Sequence, residues 1–309
     1  MIQHYYKSVR GKTLQKHDKP QRGSWVYVES PTEKEIQDLA ERFKLEPGFL
    51  EDAIDEDEMP RLEHEEGRSY IFVRYAHEAK SGEIDTAPLL IIFGEEHVIT
   101  VSPWHLPVLD AFRKGRIDAA TTQRAKLILL ILSQISDRYD AYINQTSRKI
   151  KAIRARLRGQ IITNQDLIDF VTIEDELNEF LASLLPNNAT LRRLLVGRHI
   201  PLFEEDQDIV EDLLLSNDQS IEAIRSNLRS ISNIRDAYSA ISSNNLNRVL
   251  TILTVATILI SVPSLAMGIY SLNIPLPFQH ATWMFWVIMS INVSLMSTVL
   301  YVARKKRII

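Results

Sequence analysis

The sequence predicts an α+β domain with a mixed or antiparallel sheet, followed by a long helical stalk and a C-terminal hairpin of two transmembrane helices. Three observations predict this fold class. Short β-rich runs alternate with helical runs up to about residue 118, helical periodicity then continues almost unbroken, and two long uncharged runs lie near the C-terminus.

Four short runs rich in β-branched and aromatic residues predict strands. They cover residues 24–28, 69–75, 89–93 and 97–101. The Gly94-Glu95-Glu96 link predicts that the last two form a hairpin. Segment 31–35, Pro-Thr-Glu-Lys-Glu, offers an N-cap and an acidic first turn, so we expect a helix from there to about Phe43.

Apolar residues recur every three or four positions from about residue 119, which predicts long helices. The second covers about residues 164–196, and the third begins near Phe203 and meets no convincing breaker before Pro263. If it continues to Tyr270, it is a rod of roughly 100 Å. An apolar seam on this rod predicts packing along other helices. The seam consists of Ile221, Ile224, Leu228, Ile231, Ile234, Tyr238 and Ile241.

Two runs lack any charged residue: 22 residues at 249–270 and 23 residues at 281–303. Each is long enough as a helix, at roughly 33 Å, to cross a hydrocarbon core of about 30 Å. A buried hairpin in a soluble protein is the alternative. Arg248 and the basic run 304–307 flank the spans, whereas the loop between them has no Lys or Arg, so we expect both termini in the cytoplasm.

The predicted organisation follows from these boundaries. It comprises a cytoplasmic domain at 1–118, a cytoplasmic helical stalk at 119–248, a first span at 249–270, an external loop at 271–280, a second span at 281–303 and a basic cytoplasmic tail at 304–309.

Composition excludes several function classes. A formal charge of −4 and a pI near 6.1 give no global basic field, so we expect no nucleic-acid partner. Without cysteine, neither a disulfide nor a thiolate site can form. No phosphate-binding loop or nucleophile motif is present, so we do not expect an enzyme. The eight histidines show no metal-ligand spacing, and we expect each to be a surface residue.

Small and polar residues form a stripe along one face of the third helix, continuing through the first span. Such a stripe is typical of close packing between membrane helices, and it also suits a pore lined with hydroxyl groups. Its extension beyond the span to Asn247 and Asp236 favours the pore. The remaining members are Ala240, Ser243, Leu250 or Thr251, Thr254, Thr257, Ser261, Ser264, Gly268 and Ser271.

The last 75 residues carry a family pattern. In order it contains Asp236, Tyr238, Ser243-Asn244, Asn247, Val249, Leu253-Thr254, Pro263, Gly268-Ile269-Tyr270 and Asn273. With Leu50-Glu51-Asp52, Pro60-Arg61-Leu62-Glu63 and Tyr70-Ile71-Phe72 nearer the N-terminus, the chain resembles the CorA-type divalent metal cation transporter family, which includes magnesium, cobalt and nickel channels and zinc-transporting relatives.

The resemblance implies a homopentamer in the bacterial inner membrane, with the first span lining a pore for Mg²⁺ or another divalent cation and with no organic cofactor. Asn273 matches the asparagine at the outer mouth, near Gly268 and Tyr270, and Leu250 and Leu253 match an apolar constriction. Asp236 matches a carboxylate ring at the inner end of the pore. Asp212 matches an acid that binds regulatory cations, and Glu78 is its candidate partner.

The chain departs from the family at its signature. Where the family has Gly-Met-Asn, this sequence has Ser271-Leu272-Asn273. Glycine permits a tight backbone there, and serine does so only at some cost. Zinc-transporting relatives also vary the middle signature residue, which is Leu272 here, so zinc is an alternative to magnesium. Two further hypotheses remain: a non-conducting membrane-anchored cation sensor, and a two-span anchor without a pore.

Overall fold

The computed structural model describes residues 1–79, 82, 84–158, 163–196, 200–271 and 281–305. Contacts divide the chain into two compact units, Met1–Asn233 and Ile234–Ile309. The domain boundaries expected at residues 118 and 248 stay predictions.

Strands and short helices make up the N-terminal part of the first unit. They are β1 (Ile2–Tyr6), β2 (Gln15–His17), β3 (Trp25–Glu29), α1 (Glu33–Phe43), α2 (Pro47–Asp52), β4 (Arg61–Glu65), β5 (Arg68–Glu78), β6 (Ile84–Phe93), β7 (Val98–Ser102) and α3 (Pro107–Arg113). Long helices follow: α4 (Arg124–Arg158), α5 (Asn164–Val196), α6 (Glu204–Tyr270) and α7 (Trp283–Lys305).

The strands form one mixed sheet in the order β2-β1-β3-β7-β6-β5-β4. Only the β3–β7 pair is parallel among the pairs of this sheet in the described chain. The β4–β5 hairpin turns at Glu66 and Gly67, both with positive φ, as a two-residue type I′ turn requires. The predicted fold class, a mixed-sheet α+β domain with a long helical stalk and C-terminal apolar helices, is confirmed.

Helices cover both faces of the sheet. On one face, α1 and α2 pack Leu39 and Leu50 against Val26, Phe72 and Ile92 in a buried apolar core. On the other face, α4 and α5 lie against β5 and β6. The predicted seam of α6 has Ile221, Ile224 and Ile231 buried in the first unit.

The predicted secondary structure agrees with the structure wherever the sequence pattern is strong. All four predicted strands and the hairpin at Gly94–Glu96 are present, although β5 and β6 are longer than predicted. Helix α5 has the predicted bounds, and α6 continues past Pro263 to Tyr270. Helix α4 begins at Arg124, five residues after residue 119. Strands β1, β2 and β4 and helices α2 and α3 were not predicted from the sequence.

Candidate functional site

Two helices have the length and composition to cross a membrane. Within the described residues, α6 and α7 each contain an 18-residue apolar stretch of which only 6% is buried in the structure. A core helix of a soluble protein would bury most of such a stretch, so the alternative of a buried soluble hairpin does not fit. These exposed apolar surfaces match the requirements of a lipid environment.

In the second unit, α6 and α7 each have one covered face. The covered positions recur at intervals of three or four residues, which is the pattern of helices packed side by side. On α6 they are Thr251, Val255, Leu259, Val262, Pro263 and Ala266, and on α7 they are Met284, Ile288, Asn292, Met296, Val299 and Ala303.

The predicted pore positions lie on a different face of α6, except for Thr251, the alternative to Leu250, which is on the covered face. At 100° per residue, the stripe centred on Thr254 is about a third of a turn from the covered face. Close packing between the chain's own two apolar helices therefore does not use the stripe. All its predicted pore residues are exposed: Asp236, Asn247, Leu250, Leu253, Thr254, Thr257, Ser261 and Ser264, as is Gly268 near the mouth.

The hydroxyl groups of this stripe donate to the backbone of their own helix. Thr254 Oγ1 donates to the Leu250 carbonyl at 2.8 Å, and Thr257 Oγ1 donates to the Leu253 carbonyl at 2.9 Å. Ser264 Oγ makes the same bond one turn back, at 2.8 Å. A hydroxyl whose proton is used in this way still has oxygen lone pairs free to accept. The stripe can therefore present acceptor oxygens to a cation or to its hydration water.

At the predicted mouth, Ser271 is the last described residue before residue 281. Its backbone N–H donates to the Met267 carbonyl at 3.0 Å and its Oγ donates to the Gly268 carbonyl at 2.9 Å. The backbone cost expected of serine in place of glycine stays a prediction. Tyr270 ends α6, whereas Leu272 and Asn273 lie outside the described residues.

The two predicted regulatory residues are both exposed in the first unit. Glu78 is the last residue of β5, and Asp212 lies in the third turn of α6. Among the described residues, no group of three His, Asp or Glu side chains lies close enough to hold a metal ion within one chain. A cation site at Asp212 would need oxygen ligands from water or from another copy of the chain.

One buried polar residue was not assigned a role from the sequence. Asn292 is 8% exposed on the covered face of α7, and its Nδ2 donates to the Ile288 carbonyl at 2.9 Å. A lone amide in an apolar span that also holds small residues is a signal for helix–helix packing, and that signal was available in the sequence.

The chain resembles known cation transporters over almost its whole length. Residues 20–306 match the family described as CorA-like Mg²⁺ transporter protein. The cobalt/magnesium transport protein CorA of Methanocaldococcus jannaschii is 22% identical over 292 residues, covering 91% of this chain and 90% of that protein.

Solved structures share the fold. The complete structure of the CorA magnesium transporter from Methanocaldococcus jannaschii aligns with a TM-score of 0.86 at 20% identity, covering 98% of this chain and 97% of that one. The ZntB cytoplasmic domain from Vibrio parahaemolyticus aligns with a TM-score of 0.65 at 12% identity, covering 79% of this chain and 98% of that one.

The family match over residues 20–306, together with two helices able to cross a membrane, identifies a membrane transport protein. Because the family match extends over nearly the full sequence, the chain belongs to the CorA-like Mg²⁺ transporter family. It is therefore a divalent-cation transporter and not an enzyme, as the sequence predicted.

Proposed function

We propose that this chain forms a homopentameric channel for divalent metal cations, with Mg²⁺ as the principal ion. Five copies of α6 surround a pore, and the stripe from Asp236 to Ser264 faces its axis. The number five comes from the family resemblance, since helical periodicity does not determine how many copies assemble. The chain spans the bacterial inner membrane twice, with both termini in the cytoplasm.

The pore face is supported by one observation above the others. The polar stripe of α6 is exposed although α7 already covers another face of the same helix. Small and polar side chains facing lipid would contribute little to membrane stability, so a different environment for this face is expected. A water-filled axis between copies provides that environment and uses the acceptor oxygens of Thr254, Thr257 and Ser264.

The ion crosses with much of its hydration shell. Mg²⁺ loses water reluctantly, so a ring of Asn273 amides at the mouth and hydroxyl oxygens below it select the hydrated ion by its size and charge. Leu250 and Leu253, which are 49% and 61% exposed in the single chain, form the apolar constriction that gates by dewetting. The membrane potential drives entry, because a divalent ion gains about 4.6 kcal/mol at 100 mV.

Intracellular cations control the gate. In our proposal, Asp212 and Glu78 contribute carboxylate oxygens to cations held between neighbouring copies. Bound cations screen the repulsion between these acids and keep the cytoplasmic parts together. When the cytoplasmic cation concentration falls, the acids separate and the constriction opens.

Substituted-cysteine accessibility tests the pore face, and the natural absence of cysteine makes the background clean. A thiol reacts with a charged, water-soluble reagent only where water lets it ionise. Ser261→Cys is therefore expected to react in membranes and to lose most of its Mg²⁺ flux on modification. The matched control is Ile291→Cys on α7, which is 55% exposed in the single chain and is expected to face lipid and stay unmodified.

The comparison between the two positions is decisive. If the thiol of Ser261→Cys reacts no faster than that of Ile291→Cys, both residues face lipid. That result would contradict the proposal that α6 lines a pore. Equal loss of flux on treating the cysteine-free protein would mean that the reagent acts elsewhere.

The altered signature favours a second candidate ion. Zinc-transporting relatives vary the middle signature residue, which is Leu272 here, so Zn²⁺ is the alternative substrate.

A protein that senses cations without conducting them is the other alternative. Restoring the family signature Gly-Met-Asn distinguishes it from a channel. If Ser271→Gly with Leu272→Met gives flux where the natural chain gives none, the sensor is the correct description.

A further inference from the structure

Two histidines lie side by side at one edge of the sheet. Strands β1 and β2 pair antiparallel, and His4 is the direct partner of His17 in their register. Directly opposed residues point to the same face of a sheet, with Cβ atoms about 4.5–5.5 Å apart. The pair was not detectable from sequence spacing, because thirteen positions separate the two residues and both strands were missed.

Each of the two rings has one nitrogen that is enclosed without a hydrogen-bond partner. His4 is only 5% exposed, and its Nδ1 is enclosed without a partner. The Nε2 atom of His17 is enclosed in the same way. The expectation that every histidine is a surface residue is therefore wrong for His4. A buried polar atom without a partner costs free energy, so these two rings call for an explanation.

The two rings line one cavity of about 460 Å³. Its charged lining is mixed, with the carboxylates of Asp18 and Asp38 and the cationic side chains of Lys16 and Arg42. Burial, and to a smaller extent the positive charge of Arg42 and the nearby His97, lower the pKa of His4. Its ring is therefore neutral at neutral pH, and neutral imidazole is the form that binds metals.

We propose that His4 and His17 together bind one divalent transition-metal ion of the Zn²⁺, Co²⁺ and Ni²⁺ class. Imidazole nitrogen suits these ions, whereas Mg²⁺ prefers oxygen ligands. Because no three metal-binding side chains converge among the described residues, the pair supplies two ligands, and water or a rotated Asp18 or Asp38 carboxylate supplies the rest. This site lies on the sheet and is distinct from Asp212, Glu78 and the α6 stripe.

The site has a structural consequence for the sheet edge. Strand β2 has three residues, Gln15–His17, and occupies the end of the strand order. A metal bound across the His4–His17 pair would fix β2 against β1. The position of β2 would then depend on whether a transition metal is bound. Mg²⁺ would not have this effect, because it prefers oxygen ligands.

Calorimetric titration with Zn²⁺ tests the site in the full chain, purified in detergent without a histidine tag. Excess Mg²⁺ is present throughout, so that oxygen-rich sites are already filled. We expect one Zn²⁺ site per chain, weakened at least about tenfold in His17→Gln, since even groups that only support a metal ligand are worth about 10–100-fold. His17 is only half-buried, so this variant is expected to fold.

A matched variant completes the design. His64→Gln changes an exposed histidine on β4, at the opposite edge of the same sheet, and should leave Zn²⁺ affinity unchanged. The proposal would be overturned if His17→Gln and His4→Gln both keep the Zn²⁺ affinity of the natural chain while their circular dichroism spectra show that they are folded. Because no ion gradient is needed, the result is independent of whether the chain conducts.

Discussion

At the residue scale, Arg74 shows how the first unit accommodates a buried charge. Its side chain is 8% exposed, and its guanidinium donates to the backbone carbonyls of Glu56, Glu58 and Thr86 at 2.7–3.0 Å. Nε also donates to Thr86 Oγ1 at 2.8 Å. Arg74 lies on β5, so these bonds link the loop before β4 to β6. The guanidinium supplies a hydrogen-bond donor to each of the three carbonyl groups, which water would otherwise have to supply.

Arg74→Met should destabilise the protein strongly. The change removes the donor to the buried Thr86 carbonyl and to the part-buried Glu56 and Glu58 carbonyls, together with the ion pair to Glu179, which we expect to cost about 3–5 kcal/mol. Arg225→Met is the control, because Arg225 is 46% exposed and pairs with Glu222 on the surface, where such pairs are worth about 0–1 kcal/mol. Thermal unfolding in detergent, followed by circular dichroism, measures both. Equal midpoints for the two variants would contradict the structural role of Arg74.

At the element scale, α1 shows a local signal that the sequence already contained. Thr32 Oγ1 accepts from the Glu35 N–H at 3.3 Å, and the Glu35 carboxylate accepts from the Thr32 N–H at 2.9 Å. This capping box satisfies two donors that the helix start would otherwise leave free. The bond from the Thr32 N–H is the main reason why the pKa of Glu35 lies below its ordinary value.

The cap makes a prediction with a defined pH dependence. At pH 7, Thr32→Ala should lower the free energy of unfolding by about 1 kcal/mol.

Glu35→Gln should also destabilise the protein at pH 7. Since the folded pKa is lowered, the carboxylate stabilises above the unfolded pKa of about 4.3, and this contribution is lost as the pH falls through the folded value. Stability curves between pH 7 and pH 3 should therefore converge for Glu35→Gln and the natural chain.

Glu33→Gln provides the comparison, because Glu33 lies in the same first turn and has no role in the capping box. A constant difference between Glu35→Gln and the natural chain down to pH 3 would show that the capping bond does not depend on the carboxylate charge.

Elements with strong local signals were predictable, and those defined by their partners were not. The apolar strands β5, β6 and β7 and the unbroken α6 carry their own patterns. Strands β2 and β4 are short, polar and at the two edges of the sheet, so pairing with a neighbour decides their conformation. The exposed stripe of α6 was predicted by residue type, whereas the covered face and the His4–His17 pair depend on tertiary contacts.

At the scale of the whole molecule, family membership and the two apolar helices agree on a membrane transporter for divalent cations. Our proposal adds the assembly: copies of α6 meet at their polar stripes, and their apolar faces together with α7 meet lipid. A single chain has no pore of its own in this account. Native mass spectrometry in mild detergent is therefore a necessary control for any transport assay, with five copies expected.

Ion flux into liposomes tests the central claim most directly. The purified pentamer is reconstituted, an inward gradient of Mg²⁺, Zn²⁺, Co²⁺ or Ni²⁺ is imposed in turn, and entry is recorded with a trapped fluorescent indicator at an inside-negative potential. We expect Mg²⁺ entry that accelerates when the internal cation concentration is low and that falls at least about tenfold in Asn273→Ala, as for a loss of about 1.4 kcal/mol of stabilisation. No flux of any of the four ions, under any gradient, from a protein that is pentameric by native mass would contradict the account.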